Sequence, residues 1–409
     1  MNRSRDTAMS ILCLFLLAPL LTAAAAAAHK STLVGSNYFS GWWQGRGNKW
    51  IDAPLHNTSW LAQYPERLPL LGKFNNQSTM DREIVAASSQ GIDFFQMLWY
   101  NIYNRTDLAP GSQFLNTGVA TFQTSPVAHR MSFYISFCNN AWTPELVSRQ
   151  QWTELIQHHW LPAMRHPSYL VVGGRRVFKM INALSFYTDT CHNNSACVTS
   201  MMEELRSSVR AAGLGELIVG AGIDGFTWRP DTSLTGYKYD WVGQYGTVPS
   251  VTGANKLKPS PYIYPSNVLG AFNGMERQRH IEWATNQSRL ENQSTVLGPF
   301  LPLVMTGWDA IPWGGEDRPR FIPFSSSEWV DQLLSVKRQI VGGLGDGASA
   351  GPAAGFPLPN GGVQPAFSIY CWNEFGEGGM LAPTKGLGSS RIEAIKQVFG
   401  AGTSRHNHS

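Results

Sequence analysis

Short apolar runs alternate with helical segments along most of this chain, and that alternation limits its fold more than any other feature. Leu33 to Phe39 reads as a first strand. Ser78 and Asp81 form a capping box that opens a helix running to about Gln90, where Gly91 stops it. Ile92 to Tyr100 is almost continuously apolar, as in a strand covered on both faces, and Met131 to Phe137 repeats that character. Thr143 then caps a helix with Pro144 in its first position. Val177 to Ile181, Leu217 to Ala221, Trp241 to Tyr245 and Leu301 to Met305 continue the series of strands. Helices from Cys197 to Ala212 and from Met275 to Leu290 fall among them. A second capping box, Ser325 with Glu328, leads Trp329, Leu333, Val336 and Ile340 at helical spacing. Ala366 to Cys371 is the last strand and Arg391 to Phe399 the last helix.

About eight strands interleaved with six helices call for a parallel sheet, and at this length for a (β/α)8 TIM barrel, a single domain with long βα loops. An open, doubly wound sheet is the alternative. No internal repeat is visible, and Gly342 to Gly362 reads as a long loop before the last strand. The low charged fraction, 15% against about 25% in an average soluble chain, and the 43% of hydrophobic residues exclude global disorder. The formal charge of +4 is spread without a basic run, so the sequence offers no footprint for nucleic acid.

The first residues read as an address. Arg3 and Arg5 precede an apolar stretch from Ile11 to Leu21, and Ala23 to Ala28 supplies small residues for cleavage near Ala28 or His29. The expected organisation is a signal peptide over 1–28 and one barrel domain over 29–409, with no membrane insertion after cleavage. An uncleaved anchor is the other reading of Ile11 to Ala28. Asn57, Asn76, Asn104, Asn193, Asn286, Asn292 and Asn407 each stand two before Ser or Thr, which fits a secreted or lumenal glycoprotein. Cys191 and Cys197 bracket a polar loop and are expected to form a disulfide, with Asn193 glycosylated at its tip. Cys138 and Cys371 follow apolar runs, as buried free thiols do.

In a barrel the chemistry sits at the carboxyl ends of the strands. The polar and aromatic residues there are Tyr38, Trp42 and Trp43; Trp99, Tyr100 and Asn101; Asn139 and Asn140; Asn182; Asp224; Tyr245; Trp308 and Asp309; and Trp372, Asn373, Glu374 and Glu377. Rings that stack on sugar C–H faces, with amides and carboxylates for hydroxyls, suit a carbohydrate. The same rings also suit loop packing. From this set Tyr38, Trp99, Tyr100, Asn139, Tyr245, Trp308, Asp309, Trp372 and Asn373 are the expected substrate contacts. The sharpest signal is Trp372-Asn373-Glu374-Phe375-Gly376-Glu377-Gly378 directly after the last strand. Paired carboxylates are the usual apparatus of glycoside hydrolysis, so Glu374 and Glu377 are the expected catalytic residues. A carboxylate here could instead cap the next helix or pair with Lys385.

This motif resembles the signature near the end of glycoside hydrolase family 99, the endo-α-1,2-mannosidases, and of their bacterial polysaccharide-biosynthesis relatives. Leu71-Gly72-Lys73-Phe74, Glu83-Ile84, Gly91-Ile92-Asp93-Phe94-Phe95 and Trp99-Tyr100 are similar to the family's second β-unit, and Pro302-Leu303-Val304 with Gly307-Trp308-Asp309 to its seventh. The resemblance spans roughly Val34 to Phe399 and implies a (β/α)8 barrel acting on α-linked mannose or a related sugar, retaining and substrate-assisted. It implies that Glu374 takes the proton of the sugar 2-hydroxyl, which attacks the anomeric carbon, and that Glu377 serves the leaving group as acid and then water as base. On that division Glu377 should hold a proton, its pKa raised by apolar neighbours such as Phe375, and Glu374 should stay ionised. The mannosidases carry His where this chain has Gly376, a departure that bears on the substrate.

Other motifs lack their context. Gly347-Ala348-Ser349-Ala350-Gly351 has a helix before it and Pro352 after it, where a nucleophile elbow needs a strand and then a helix. His158 and His159 are adjacent and cannot both face one metal from a helix. Neither metal nor cofactor is expected. The readings carried forward are a secreted glycosidase, a glycosyl-transfer or polysaccharide-assembly protein of the same domain family, and a non-catalytic carbohydrate-binding barrel.

Overall fold

The computed structural model describes residues 32–45, 47–50, 60–103, 111–139, 148–222, 239–245, 263–266, 269, 299–313, 319–342 and 354–400. The segment read as a signal peptide lies outside them. So do Asn140, Asp224, the helix expected from Met275 to Leu290, and the sequons at Asn57, Asn104, Asn286, Asn292 and Asn407.

Eight parallel staves close on themselves. They are β1 (Leu33–Tyr38), β2 (Phe94–Tyr100), β3 (Ser132–Cys138), β4 (Arg175–Met180), β5 (Glu216–Gly222), β6 (Trp241–Gly243), β7 in two pieces (Phe300–Leu301 and Leu303–Met305) and β8 (Val363–Tyr370). Pro302 has no N–H to give a ladder, and β7 breaks there. Its first piece pairs with β6 and its second with β8, while the Pro302 carbonyl accepts from Ser368 N at 2.8 Å. β8 then pairs with β1 in register Leu33↔Ala366, which closes the ring and excludes the open sheet. The fold is a (β/α)8 barrel.

The helices pack outside. α1 (Gln77–Ser89) lies between β1 and β2, and α2 (Thr117–Gln123) between β2 and β3. α3 (Arg149–Leu155) passes into a π-turn at Ile156–Trp160. α4 (Ser195–Ala211), α5 (Ser326–Gly342) and α6 (Ser390–Phe399) follow. The cap of α1 is Asn76, whose side chain accepts from Thr79 N at 2.9 Å, and not Ser78. Asp81 accepts instead from Gln77 and Ser125. α3 starts from a capping box at Ser148 and Gln151, and Thr143 lies outside the described residues. The box expected at Ser325 and Glu328 is present, with bonds of 2.8 and 3.3 Å.

All seven residues of β2 are buried, as a stave covered inside and outside requires. Inside the barrel Tyr134 donates to Gln96. The floor is closed by a hairpin: Gly355–Pro357 runs antiparallel to the start of β8, within the stretch read as loop. It places Phe356, fully buried, against Phe94, Tyr134 and Trp241. Cys191 and Cys197 are bonded, with a Cα separation of 5.6 Å, and Cys138 and Cys371 are buried free thiols. Among the described residues no helix is long and apolar enough to cross a membrane.

Candidate active site

Glu374 and Glu377 stand at the carboxyl end of β8, on a tight excursion built for a short span. Asn373–Glu374 pairs antiparallel with Gly379–Met380. Between them Phe375–Glu377 makes a single 3-10 turn, ended by Gly378 at φ 70°, a conformation open to glycine at no steric cost. Arg67, almost fully buried, fastens this excursion. It donates to the Phe375 and Asp309 carbonyls, both at 3.1 Å, and to Asp309 Oδ2 at 2.7 Å. Asp309 N in turn donates to the Glu377 carbonyl at 2.7 Å.

The two carboxylates differ in their surroundings. Glu374 is 3% exposed; its Oε1 accepts from the Tyr245 hydroxyl at 2.6 Å, and its Oε2 is buried with no partner among the described residues. Glu377 is half-buried and accepts from the Tyr370 hydroxyl. Burial above all, and then the charge of Glu377, hold the Glu374 carboxyl well above the usual carboxylate range, while the Tyr245 hydroxyl and the Lys49 charge pull it back. Burial thus works against the ionised Glu374 that the sequence reading expects. A residue at the strand end is sunk in the barrel mouth, so desolvation acts on it in full. The Phe375 ring turns to Trp42 and Trp50, at 5.3 and 5.5 Å.

Tyr245 and Tyr370 meet edge to face at 5.4 Å, and Trp308 packs on Tyr370 at 5.9 Å. Tyr100 also faces the pair; its hydroxyl is pushed up by burial, by Cys138 and then by both carboxylates. The structure thus brings Tyr100, Tyr245 and Trp308 to Glu374 and Glu377. It turns the other expected contacts elsewhere. Side chains alternate across a strand, so Trp99, beside inward Tyr100, packs outward on Phe137 and Trp160. Tyr38 donates to Glu83 Oε2 at 2.8 Å beneath α1, and fully buried Trp372 packs on Phe95. Asn373 braces Phe39 through both of its backbone groups, each at 2.8 Å, and Asn139 braces Asn182 likewise. The Asp309 carboxylate is held by Arg67 and by Arg320, the latter at 2.9 and 3.0 Å. The Asn373 and Asn139 amides and the Asp309 carboxylate are thus engaged within the protein around the mouth.

Three members of the site escaped the sequence reading. Tyr370 lay inside an apolar run, although Ser368 and Tyr370 put polar groups on one face of β8. Lys49 and Trp313 come from loops. The Trp313 ring lies with the Lys49 ammonium 5.9 Å from its centre. It fills the space beside the carboxylate turn: a Cβ on Gly376 would stand 2.0 Å from its Nε1. Among the described residues no cluster of His, Cys, Asp or Glu could hold a metal.

No family model and no curated protein matches this chain in sequence. Solved structures do match its fold. A glycoside hydrolase family 99 endo-α-mannosidase from Bacteroides thetaiotaomicron superposes over 90% of this chain and 98% of its own, with a TM-score of 0.51 and 16% identity. A glycoside hydrolase-like protein covers 91% of this chain and 94% of its own, with a TM-score of 0.54 and 11% identity. The same mannosidase in complex with bis-tris-propane gives a TM-score of 0.53.

Proposed function

We propose that this protein is a secreted or lumenal glycoside hydrolase that cleaves α-linked mannose or a related sugar through Glu374 and Glu377, with retention and with help from the substrate's own 2-hydroxyl. The observation that carries the reading is Glu374 itself: a carboxyl sunk at the barrel mouth, one oxygen held by Tyr245 and the other without a partner among the described residues, with a second carboxylate one turn away. The free oxygen is an acceptor for a substrate hydroxyl. As that proton moves to Glu374, the sugar O2 attacks the anomeric carbon, and the glycosidic bond breaks as Glu377 protonates the leaving oxygen. Water then opens the strained ring, giving its proton to Glu377, while O2 recovers its own from Glu374. The Tyr245 hydroxyl and the Lys49 charge support the ionised form of Glu374 that the first step needs.

Secretion is supported by the signal-like N-terminus, the exposed sequons Asn76 and Asn193, and the Cys191–Cys197 disulfide, a bond of oxidising compartments. The test is hydrolysis of fluorogenic α-mannosides and α-glucosides and of a glycan panel read by mass spectrometry, with the product anomer followed by NMR. Glu374→Gln should abolish turnover of every substrate. Glu377→Gln should lower first-step rates on natural glycans by about 10²–10⁴-fold, and far less on an aryl glycoside with an acidic phenol, whose leaving oxygen needs no proton. Equal losses of Glu377→Gln on both substrates would contradict the assignment. Binding without turnover would leave a carbohydrate-binding barrel, and dependence on a nucleotide sugar a transferase.

A further inference from the structure

The hydroxyl that holds Glu374 comes from a residue with little ladder support of its own. β6 spans only Trp241–Gly243, and Tyr245 stands two residues beyond its last paired position. A side chain past the end of so short a stave is aimed by whatever fixes the backbone of Gln244 and Tyr245. Two fully buried side chains do this from inside the barrel. Lys179 on β4 donates from Nζ to the Gln244 carbonyl at 2.6 Å, and Asn37 on β1 donates from Nδ2 to the Tyr245 carbonyl at 2.5 Å. The Tyr245 hydroxyl then donates to Glu374 Oε1 at 2.6 Å.

Neither bond joins neighbouring staves. Phe178 packs outward on Trp160, so Lys179 beside it points into the barrel by strand alternation. β5 stands between β4 and β6, and the residue paired with Lys179 there is Gly220, which puts no side chain in the way. A Cβ at Gly220 would stand 2.3 Å from the Trp241 ring. Lys is almost never fully buried, because its ammonium gives up its hydration, so an ammonium kept here calls for a role beyond filling the core. Asn37 holds both partners of the Tyr245–Glu374 bond. Its main-chain carbonyl accepts from Trp372 N at 2.7 Å, two residues before Glu374. Ser368 Oγ donates to its Oδ1 at 3.4 Å, which leaves Nδ2 facing Tyr245.

We infer that Lys179 and Asn37 are positioning residues for the reaction, holding the backbone of Gln244 and Tyr245 so that the Tyr245 hydroxyl stays on the base Glu374. The inference rests on the glycosidase reading and adds to it how the base is aimed from within the barrel. Among the described residues the titratable groups facing Glu374 are Glu377, Tyr245 and Lys49, with Tyr100, Tyr370 and Cys371 also close enough to feel its charge. Lys179→Met and Asn37→Ala leave all of them in place.

The experiment is a double-mutant cycle read by the pH profile of kcat/KM on an activated aryl glycoside. Tyr245→Phe removes the hydroxyl that favours the ionised base, so the acid limb should move up. Lys179→Met and Asn37→Ala should each move it the same way, by about half to one pH unit, because the hydroxyl is no longer held in place. In the Tyr245→Phe background each should add less than about 0.2 unit, since the hydroxyl through which they act is gone. Asn37→Ala changes no charge and carries the same test if Lys179→Met does not fold. A limb unmoved in the folded single variants overturns the positioning role. So does a shift as large in the Tyr245→Phe background as alone, which would mean that Lys179 acts on Glu374 directly by its charge. Both results leave the glycosidase reading standing, provided that the wild-type protein hydrolyses the substrate. No hydrolysis by the wild-type protein of any glycoside overturns that reading and the positioning role with it.

Discussion

Glu374 has the largest consequences of any single residue. Its carboxyl is raised by burial, so the ionised base is scarce at low pH and becomes common as pH climbs through the shifted pKa. The acid limb of kcat/KM should therefore lie above the ordinary carboxylate range. Lys49 is the cation that opposes this shift. Lys49→Met should move the acid limb further up, by about half to one pH unit, because an opposite charge nearby favours ionisation. A pH–rate profile on an activated aryl glycoside measures it, and an unmoved limb would remove Lys49 from the site's electrostatics. Gly376 sets a second constraint. A side chain there collides with Trp313, so Gly376→His should cost about 1–3 kcal/mol of stability in denaturant titrations, the usual penalty of overpacking. Pairing it with Trp313→Ala should recover part of the loss. The carboxylates were legible in the sequence because a short motif carries both. Of their partners Tyr245 was legible at a strand end, but Tyr370 was hidden in an apolar run, and Lys49 and Trp313 reach the site from distant segments.

The elements record where local signals suffice. Staves such as β2 declared themselves by unbroken apolar character, and α5 by its capping box. α2 was not legible: it is short, contains Gly118 and two Thr residues, and its preceding Asn116 bonds both backbone groups of Tyr100 at 2.8 Å instead of capping the helix. α1 carries a titrating group into the core. Burial raises the pKa of Glu83 to about 7, against an ordinary value of 4.5, although the Tyr38 hydroxyl bonded to it acts the other way. Between those two values the folded protein binds more protons than the unfolded chain, so this group's contribution to stability falls as pH rises and levels off above about 7. Its full swing is on the order of 3 kcal/mol. Glu83→Gln should flatten the pH dependence of unfolding across that window and leave the variant relatively more stable at pH 8 than at pH 5. A wild-type slope in the variant would place the titration elsewhere.

At the scale of the whole molecule the barrel separates stability from chemistry along its axis. The carboxylates and tyrosines gather at the carboxyl ends of the staves. Asp93, at the opposite end, accepts from Val34 N at 2.7 Å, and Phe356 seals the floor. Alternation of strand and helix made this architecture readable from sequence, but not its closure. That depends on Pro302 splitting one stave between two neighbours, and on a hairpin inside a Gly-rich stretch that reads as loop. The separation can be tested at Phe356. Its ring packs on Phe94, Tyr134 and Trp241 at the floor of the barrel. Phe356→Ala should leave a cavity in the floor and cost about 3–5 kcal/mol in chemical denaturation. The acid limb of kcat/KM should stay where it is, because the surroundings of Glu374 are unchanged. If that limb moves together with stability, the two ends of the barrel are mechanically coupled, and the floor takes part in setting the protonation of the base.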